Sequence, residues 1–435
     1  MSGLAVGTIG MVVLLVLLAL RIPVALAMFT VGLTGQAILN SPSAAIANLA
    51  SDTFTLASSA ELVVVPLFIF MGNIATETGM SRRLYDAAYA LIGRLRGGLA
   101  AATVIGCGGF AALSGSSVAA ALTMGKVSLK QMDRFGYDKG LSTGAVAAGG
   151  TLGILIPPST GFVIYAILAQ ESIGRLFLAG VLPGLLLLAM FVGTIMVLCY
   201  LDPTKGPEGP RTTGREKLLA MANAAPIIGI ILLTIGGIYG GVFSPTEASA
   251  VGAGLAILFG LIRRTLTLNA FWKAARSSVV TTAAVMLILI SAYTLIPFLA
   301  LSRIPQSLGA FIVGLDLPVL GVLALMLATY LVMGCFMEGF AMLVLSMPIF
   351  YPIVIELGID PIWFGVLVVL TLEMGLISPP VGINVYIVKS VAPDTSLNQI
   401  FRGIMPYLLA MIVTLLVLLA FPGISLWLPN TMIGS

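Results

Sequence analysis

The chain has 435 residues, of which 59% are hydrophobic and 9% are charged. A soluble domain carries about 25% charged residues to cover its surface, so this composition excludes a soluble protein and predicts an all-α polytopic membrane protein. The sequence has no histidine, which removes the usual zinc ligand and the commonest general base. Its net charge of +4 is no reason to expect nucleic-acid binding, because the location of Lys and Arg matters more in a membrane protein than their sum.

Apolar stretches of about 20 residues can cross the hydrocarbon of a bilayer. The first, residues 4–20, has no basic residue ahead of it and no convincing cleavage site, so we expect it to be a retained span rather than a signal peptide. The cysteines Cys107, Cys199 and Cys335 lie in apolar runs without metal-site spacing, and we expect no transition-metal site. Ten crossings are predicted in all: 4–20, 22–39, 61–77, 141–170, 176–200, 224–243, 246–263, 279–301, 361–390 and 403–428.

Two apolar stretches, 98–125 and 317–352, are too long for one span, and polar or small residues interrupt each near its middle. Ser114-Gly115-Ser116-Ser117 interrupts the first and Glu338-Gly339 the second. We therefore expect two re-entrant hairpins that enter and leave on the same side. Segments 80–97 and 265–277, which mix apolar and basic residues, predict amphipathic helices on the membrane surface.

The distribution of basic residues supports these hairpins. With the N-terminus outside, every Lys and Arg except Arg175 and Arg303 falls on the cytoplasmic side, Arg211 of the central loop included. A full crossing in place of either hairpin would destroy this segregation. Basic clusters flank the first hairpin, whereas Asp316, Glu356 and Asp360 flank the second, so their bases are expected on opposite faces. The protein is thus predicted to lie in a bacterial inner membrane with both termini in the periplasm.

The order of elements repeats along the chain. Two spans, a third span, a hairpin, a broken span and a final span occur in 1–200 and again in 222–435, joined by a cytoplasmic linker, 201–221. Each half has five crossings, an odd number, so the second half is expected to be inverted relative to the first, as in many secondary transporters. The broken spans are 141–170 and 361–390.

A short motif in each broken span supports this repeat. Gly-Ile-Leu-Ile-Pro-Pro at 153–158 matches Gly-Leu-Ile-Ser-Pro-Pro at 375–380, and both follow a predicted hairpin. One Pro-Pro pair would be consistent with a mere kink, but two in corresponding places favour broken helices. Proline lacks an N–H, so the carbonyls four residues earlier lose their helical partners. Such carbonyls are hard oxygen donors that suit sodium. They belong to Gly153, Ile154, Gly375 and Leu376.

The first hairpin tip adds uncharged hydroxyls, and a half-helix that begins there would direct its positive end at a carboxylate substrate. Gly149, Gly150 and Thr151 would allow the hairpin to approach closely. Small residues also serve simple helix packing, and that interpretation stays open for both groups.

Charged residues at membrane depth are few. Glu338 lies at the second tip, where it would hold a cation or act as a structural hydrogen-bond acceptor, and Glu373 lies just before the second break. Glu247 follows Ser244-Pro245-Thr246 and is best explained as a helix cap. Arg303 would either meet an anionic substrate or simply extend to the membrane surface.

Several stretches together resemble the large membrane subunit of the tripartite ATP-independent periplasmic (TRAP) transporters. They occur in the expected order over most of the chain: 113–119, 136–139, 147–159, 241–248 and 364–384. The resemblance implies an elevator-type sodium symporter for organic acids, with a separate small membrane subunit and a periplasmic substrate-binding protein. Family members often have an aspartate near the second tip, where this chain has Glu338.

The resemblance also implies the site, transferred motif by motif. The sodium-site candidates are Ser114, Gly115, Ser116, Ser117, Gly149, Gly150, Thr151, Gly153, Gly334, Glu338, Gly339, Thr371, Gly375, Ser378 and Pro379. The substrate-site candidates are Ser116, Ser117, Pro157, Pro380, Asn384 and Arg303. No cofactor other than Na⁺ as coupling ion is expected.

There are three alternatives to a TRAP permease. A self-sufficient sodium/dicarboxylate symporter of the same inverted-repeat type is the main alternative, and it would need neither a binding protein nor a small subunit. A membrane-embedded enzyme lacks a catalytic constellation, and a channel is disfavoured because opposed hairpins suggest alternating access. The sequence indicates organic acids such as C4-dicarboxylates or sialic acids without choosing among them.

Overall fold

The computed structural model describes residues 2–210, 212–314 and 317–432. These residues form helices and no strand, which confirms the expected all-α architecture. Arg211 and Asp316, two of the charged residues that support the predicted orientation, lie outside the described residues. Residues 433–435, at the end of the predicted second repeat, also lie outside them.

The helices of the first half follow the predicted order, with one addition. They are α1 (Gly3–Ala19), α2 (Val24–Leu39), α3 (Pro42–Ser58), a 3₁₀ turn (Ala60–Val63) leading into α4 (Val64–Glu77), α5 (Met80–Ile92), α6 (Gly98–Ser114), α7 (Ser117–Arg134), α8 (Lys139–Leu155), α9 (Thr160–Ala169) and α10 (Ile173–Leu201). The addition is α3, which the sequence analysis did not anticipate. The hydroxyl of Ser41 caps its first turn and Pro42 begins it, a pairing that marks helix starts.

The second half differs from expectation at four places, the first of which is an additional short helix at Ile304–Val313. Its helices are α11 (Gly214–Tyr239), α12 (Pro245–Ile262), α13 (Leu268–Ser302), α14 (Ile304–Val313), α15 (Val319–Gly334), α16 (Gly339–Glu356), α17 (Pro361–Ile377), α18 (Ile383–Val391), α19 (Leu397–Ala420) and α20 (Gly423–Asn430). The segment 265–277 is not a separate surface helix, because most of it continues into the following span as the 35-residue α13. The last span is interrupted at Phe421, and α11 begins inside the segment assigned to the linker.

Eight helical segments of the described residues are long and apolar enough to cross a membrane: Ala60–Glu77, Lys139–Ala169, Ile173–Leu201, Gly214–Tyr239, Pro245–Ile262, Leu268–Ser302, Gly339–Glu356 and Leu397–Ala420. Seven of them coincide with predicted crossings, and the eighth, α16, is an arm of the second predicted hairpin. The predicted crossings 4–20, 22–39 and 361–390 correspond to shorter apolar helices, α1, α2 and α17.

The two broken helices form the centre of the molecule. Every residue of 140–155 in α8 and of 362–377 in α17 is buried, and the two helices pack against each other. Helix α13 packs against α2, where the buried Gln36 side chain donates a hydrogen bond of 2.7 Å to the Thr294 carbonyl. The helices on the N-terminal side of both proline breaks are therefore held within a packed interior, and the prolines of the first break are buried with them.

The connection between the halves lies against the first half instead of hanging free. The Gly97 amide donates to the Gly206 carbonyl at 2.9 Å, and the Gly209 amide donates to the Gly93 carbonyl at 3.1 Å. The Tyr137 hydroxyl donates to the Pro207 carbonyl at 2.9 Å, and burial raises the pKa of Tyr137 to about 12. This connection therefore fastens the α5–α6 turn to the α7–α8 turn, at the base of the first hairpin.

Candidate functional site

The first hairpin turns where the serine and glycine residues predict it. Helix α6 ends at Ser114, Gly115 follows in the left-handed region at φ +58°, and α7 starts after Ser116. The Ser116 hydroxyl accepts a hydrogen bond of 3.3 Å from the Ala119 amide, which caps α7. The amino end of α7, with its partial positive charge, thus lies at the tip. Apart from Ser116, which is partly exposed, the tip residues 114–117 are buried.

The glycines of α8 bring this helix into contact with the first tip. A Cβ added at Gly153 would lie 2.5 Å from the carbonyl carbon of Ser116, and one at Gly150 would lie 3.2 Å from the Ser117 carbonyl oxygen. At Gly149 the added atom would lie 2.8 Å from the sulfur of Cys107 in α6. These distances are shorter than ordinary van der Waals contacts, so the hairpin packs on α8 only because side chains are missing there.

The first break closes over the same tip. Residues 156–159 separate α8 from α9, and Pro157 and Pro158 are both buried. The Thr160 hydroxyl donates to the Gly115 carbonyl at 2.8 Å, which joins the tip to the start of α9. The Ser159 hydroxyl donates to the Ile154 carbonyl. Of the two carbonyls that the prolines release in this half, that of Gly153 is therefore the better candidate for a cation ligand.

The second hairpin has a similar contact but a more open tip. Glycine meets glycine between its first arm, α15, and α17: a Cβ added at Gly334 would lie 2.7 Å from the Cα atom of Gly375. Residues 335–338 form the turn, in which Phe336 is 64% exposed and Glu338 is also exposed. The Glu338 carboxylate accepts a hydrogen bond of 3.3 Å from the Ala341 amide and caps α16, the structural role that the sequence left open.

The second break is exposed at its prolines. Pro379 and Pro380 are both exposed, unlike their counterparts in the first half. The Ser378 hydroxyl donates to the Met374 carbonyl at 2.7 Å, and the Ser378 amide donates to the Gly375 carbonyl at 3.1 Å. Since Gly375 already has a partner, the Leu376 carbonyl is the better candidate for a cation ligand in this half.

The remaining predicted site residues differ in whether their polar side-chain atoms have hydrogen-bond partners. Thr151 and Thr371 are buried, and their hydroxyls donate to carbonyls of their own helices, those of Ala148 at 2.6 Å and Leu367 at 2.8 Å. Gly339 is buried at the start of α16. Asn384 is fully buried at the start of α18, and neither atom of its amide has a hydrogen-bond partner among the described residues. Such a group is suited to a bound ligand.

Arg303 lies apart from the tips. It is exposed at the carboxyl end of α13 with φ +58°, and its amide donates to the Ala300 carbonyl at 3.2 Å. Adjoining residues of α13 contact α1: a Cβ added at Gly7 would lie 2.5 Å from the Cβ atom of Ser302. None of the described hydrogen bonds joins Arg303 to either hairpin tip, and its role as a substrate ligand stays a prediction.

Glu373 has the most unusual environment of the residues around the breaks, and the predicted set does not include it. Its side chain is fully buried, and both carboxylate oxygens lack a hydrogen-bond partner among the described residues. The signal was a glutamate inside an apolar run, which the sequence analysis noted without giving it a role. Ser114, in the predicted set, likewise has a buried hydroxyl without a partner among the described residues.

Comparison with known proteins gives one consistent result. Residues 11–424 match the family model described as the tripartite ATP-independent periplasmic transporter, DctM component. The C4-dicarboxylate TRAP transporter large permease protein of Pseudomonas aeruginosa is 38% identical over 404 residues, which are 92% of this chain and 94% of that protein. The sialic acid TRAP transporter large permease protein of Vibrio cholerae is 32% identical over 386 residues, 88% of each chain.

Solved structures share the fold at lower identity. The YdaH transporter of Alcanivorax borkumensis superposes with a TM-score of 0.66 at 16% identity, over 89% of this chain and 90% of that one. At this identity the likeness concerns the fold alone.

Proposed function

Because the chain belongs to the DctM-component family of the tripartite ATP-independent periplasmic transporters, we propose that it is the large permease subunit of a sodium-driven transporter that imports organic acids. In this proposal a periplasmic binding protein delivers the substrate and a small membrane subunit completes the permease. The two halves are inverted repeats in the bacterial inner membrane, both termini are periplasmic, and transport proceeds by an elevator movement.

One observation carries the sodium proposal. In each half a glycine four residues before a Pro-Pro pair packs on the hairpin: Gly153 lies against the first tip at Ser116, and Gly375 lies against Gly334, at the end of the arm that leads into the second tip. This contact brings a tip to main-chain carbonyls that have lost their helical donors, and such carbonyls suit a hard cation. The two sites would share one design, with Na⁺ held where the tip meets the break. Sodium binding would then fix the position of each tip relative to its broken helix.

An organic acid is the substrate class that best fits the first tip. The amino end of α7 lies at Ser116 and Ser117, and helix amino ends favour carboxylates. The unpartnered amide of Asn384, together with Pro157 and Pro380 of the two breaks, completes the proposed substrate set, to which Arg303 belongs only by its charge. The relatives named for C4-dicarboxylate and sialic acid both have carboxylate substrates, which agrees with this class without choosing within it.

Uptake in proteoliposomes tests the coupling. The chain, its small membrane subunit and a candidate binding protein are reconstituted, and uptake of a radiolabelled dicarboxylate or sialic acid is measured with and without an inward Na⁺ gradient. We expect uptake only with the gradient and only with the binding protein. Uptake that ignores sodium would refute the coupling. Full uptake without the binding protein and small subunit would favour the self-sufficient symporter.

Thiol labelling tests the inverted arrangement. Single cysteines at Lys130 and Glu356, near the bases of the two hairpins, are exposed to a membrane-impermeant reagent in intact and in permeabilised cells. We expect Glu356→Cys to react in cells whose outer membrane alone is permeable, and Lys130→Cys to react only after the inner membrane is opened. Reaction of both from the same side would contradict the inverted repeat.

A further inference from the structure

Glu373 is a buried carboxyl group for which the structure supplies no partner of its own. Both oxygens are inaccessible and unpaired, and none of the ion pairs among the described residues includes Glu373. An isolated ionised carboxylate in an apolar interior is among the costliest groups to bury. Such a group is stable in the interior only when it is neutralised, either by a proton or by a bound cation.

The position of Glu373 is as informative as its burial. It lies two residues before Gly375 on α17, and the side chain of Ser117, from the first hairpin tip, is near enough to act on its carboxyl group without reaching hydrogen-bond geometry. Gly375, two residues further along α17, lies against Gly334 at the end of the arm that leads into the second tip. Glu373 therefore lies where the first tip, the second tip and the second broken helix come together.

This arrangement favours a cation over any other ligand. An ionised Glu373 would already be an uncompensated negative charge in the interior, and a bound anion would raise the cost of burying it further. The neutral groups nearby are hydroxyl oxygens: Ser117 is 1% exposed, and the Ser114 hydroxyl on the same tip has no partner. Carboxylate and hydroxyl oxygens are hard ligands that suit a hard cation.

We propose that Glu373 is the carboxylate ligand of a Na⁺ site at which the first hairpin tip meets the second broken helix. This inference rests on the proposed sodium coupling and extends it. The predicted sodium set contains no carboxylate of one half that lies beside the hairpin tip of the other half. A cation at Glu373 would make sodium binding sensitive to the relative position of the halves.

Thermal unfolding of the purified, detergent-solubilised full chain tests the site with Na⁺ alone as the probe. The midpoint temperature is followed as NaCl replaces choline chloride at constant ionic strength. We expect Na⁺ to stabilise the wild type, and Glu373→Gln to raise the half-saturating Na⁺ concentration by at least about tenfold, the effect of losing one strong ligand. Glu373→Asp, which keeps the charge, should lie between the two. Glu356→Gln, which removes an exposed carboxylate of the same half, should match the wild type.

The outcomes separate this inference from the proposed function. If the half-saturating Na⁺ concentration of Glu373→Gln equals that of the wild type, Glu373 is a protonated structural residue. The inference is then wrong, whatever the transport assay shows. If Glu373→Gln does not fold, Glu373→Asp decides, and an unchanged Na⁺ response there overturns the site. If the wild type neither binds Na⁺ nor needs it for uptake, the proposed function itself fails.

Discussion

The two hairpin-and-break units have the same local design but different surroundings. In both, a glycine four residues before a Pro-Pro pair packs closely on the hairpin. In the first unit both prolines are buried and Thr160 ties the break to the tip, whereas in the second Phe336, Pro379 and Pro380 are exposed. Shared local chemistry therefore does not fix accessibility. In this conformation the prolines of the first unit are buried by neighbouring residues, whereas those of the second unit are accessible.

The largest difference between the units is expected at their glycines. Gly153→Ala would place a methyl group 2.5 Å from the Ser116 main chain, and the first tip has no free space into which to move. We expect a loss of about 1–3 kcal/mol of stability and complete loss of uptake. Thermal unfolding and uptake measure the two effects. Gly254→Ala, where an added Cβ meets no atom within 4 Å, is the matched control: it should leave uptake unchanged and should not lower stability, because alanine is the better helix former.

The corresponding change in the second unit should separate stability from transport. Gly375→Ala would place its methyl group 2.5 Å from the Cα atom of the buried Gly334, but the turn that follows Gly334 is exposed at Phe336, so we expect this arm to adjust more readily than the first tip. We expect a stability loss near the lower end of the overpacking range, about 1 kcal/mol, together with a severe loss of uptake. Destabilisation as large as that of Gly153→Ala would show that the second unit is packed as tightly as the first, and would contradict the proposed difference between the units.

A smaller effect is expected at the hydroxyl that fastens the first tip. Thr160→Val removes the buried donor to the Gly115 carbonyl while keeping the side-chain shape, and we expect a loss of about 0.5–1.5 kcal/mol. Ser378→Ala in the second unit removes only a bond to a carbonyl of its own helix and should change stability by less than about 0.5 kcal/mol. Chemical or thermal unfolding of the two variants decides the order. Equal losses would remove the asymmetry.

The smallest structural perturbation gives the most direct view of accessibility. In a chain whose three native cysteines are replaced, Phe336→Cys should react rapidly with a hydrophilic thiol reagent, because the position is 64% exposed. Ser117→Cys, at a position that is 1% exposed, should react far more slowly. Rates are compared by mass spectrometry, with denatured protein as the reference for full reactivity. Similar rates in the native protein would mean that both tips are open.

Features that depend on local chemistry were predictable from the sequence. A proline without an N–H, a glycine with positive φ and a serine cap act within a few residues, so the first tip at Gly115 and both proline breaks were located correctly. The same logic would have found α3, whose Ser41-Pro42 start is an ordinary helix signal. The sequence of α3 is less apolar than that of a membrane span, so the length of an apolar run does not predict this helix.

Features that depend on distant packing were not predictable. No local signal shows that the Glu373 oxygens lack partners, because that depends on what α7 and α16 place around them. The difference in exposure between Pro157 and Pro380 also arises from neighbouring elements, since the two motifs are nearly alike in sequence. The continuity of α13 through the expected boundary near residue 278 follows from its packing against α2 and α4.

The fastened connection between the halves limits where the molecule can pivot. Its carbonyls at Lys205 and Gly206 accept amide hydrogen bonds of 2.9 Å, and the Thr212 hydroxyl donates one to the Ala90 carbonyl, also at 2.9 Å. A connection held by several hydrogen bonds cannot move independently of its partners, so we expect it to move together with the base of the first hairpin. If the halves move relative to each other as proposed, we expect the change in backbone angle at the junction near Thr213, where the capping box of α11 begins.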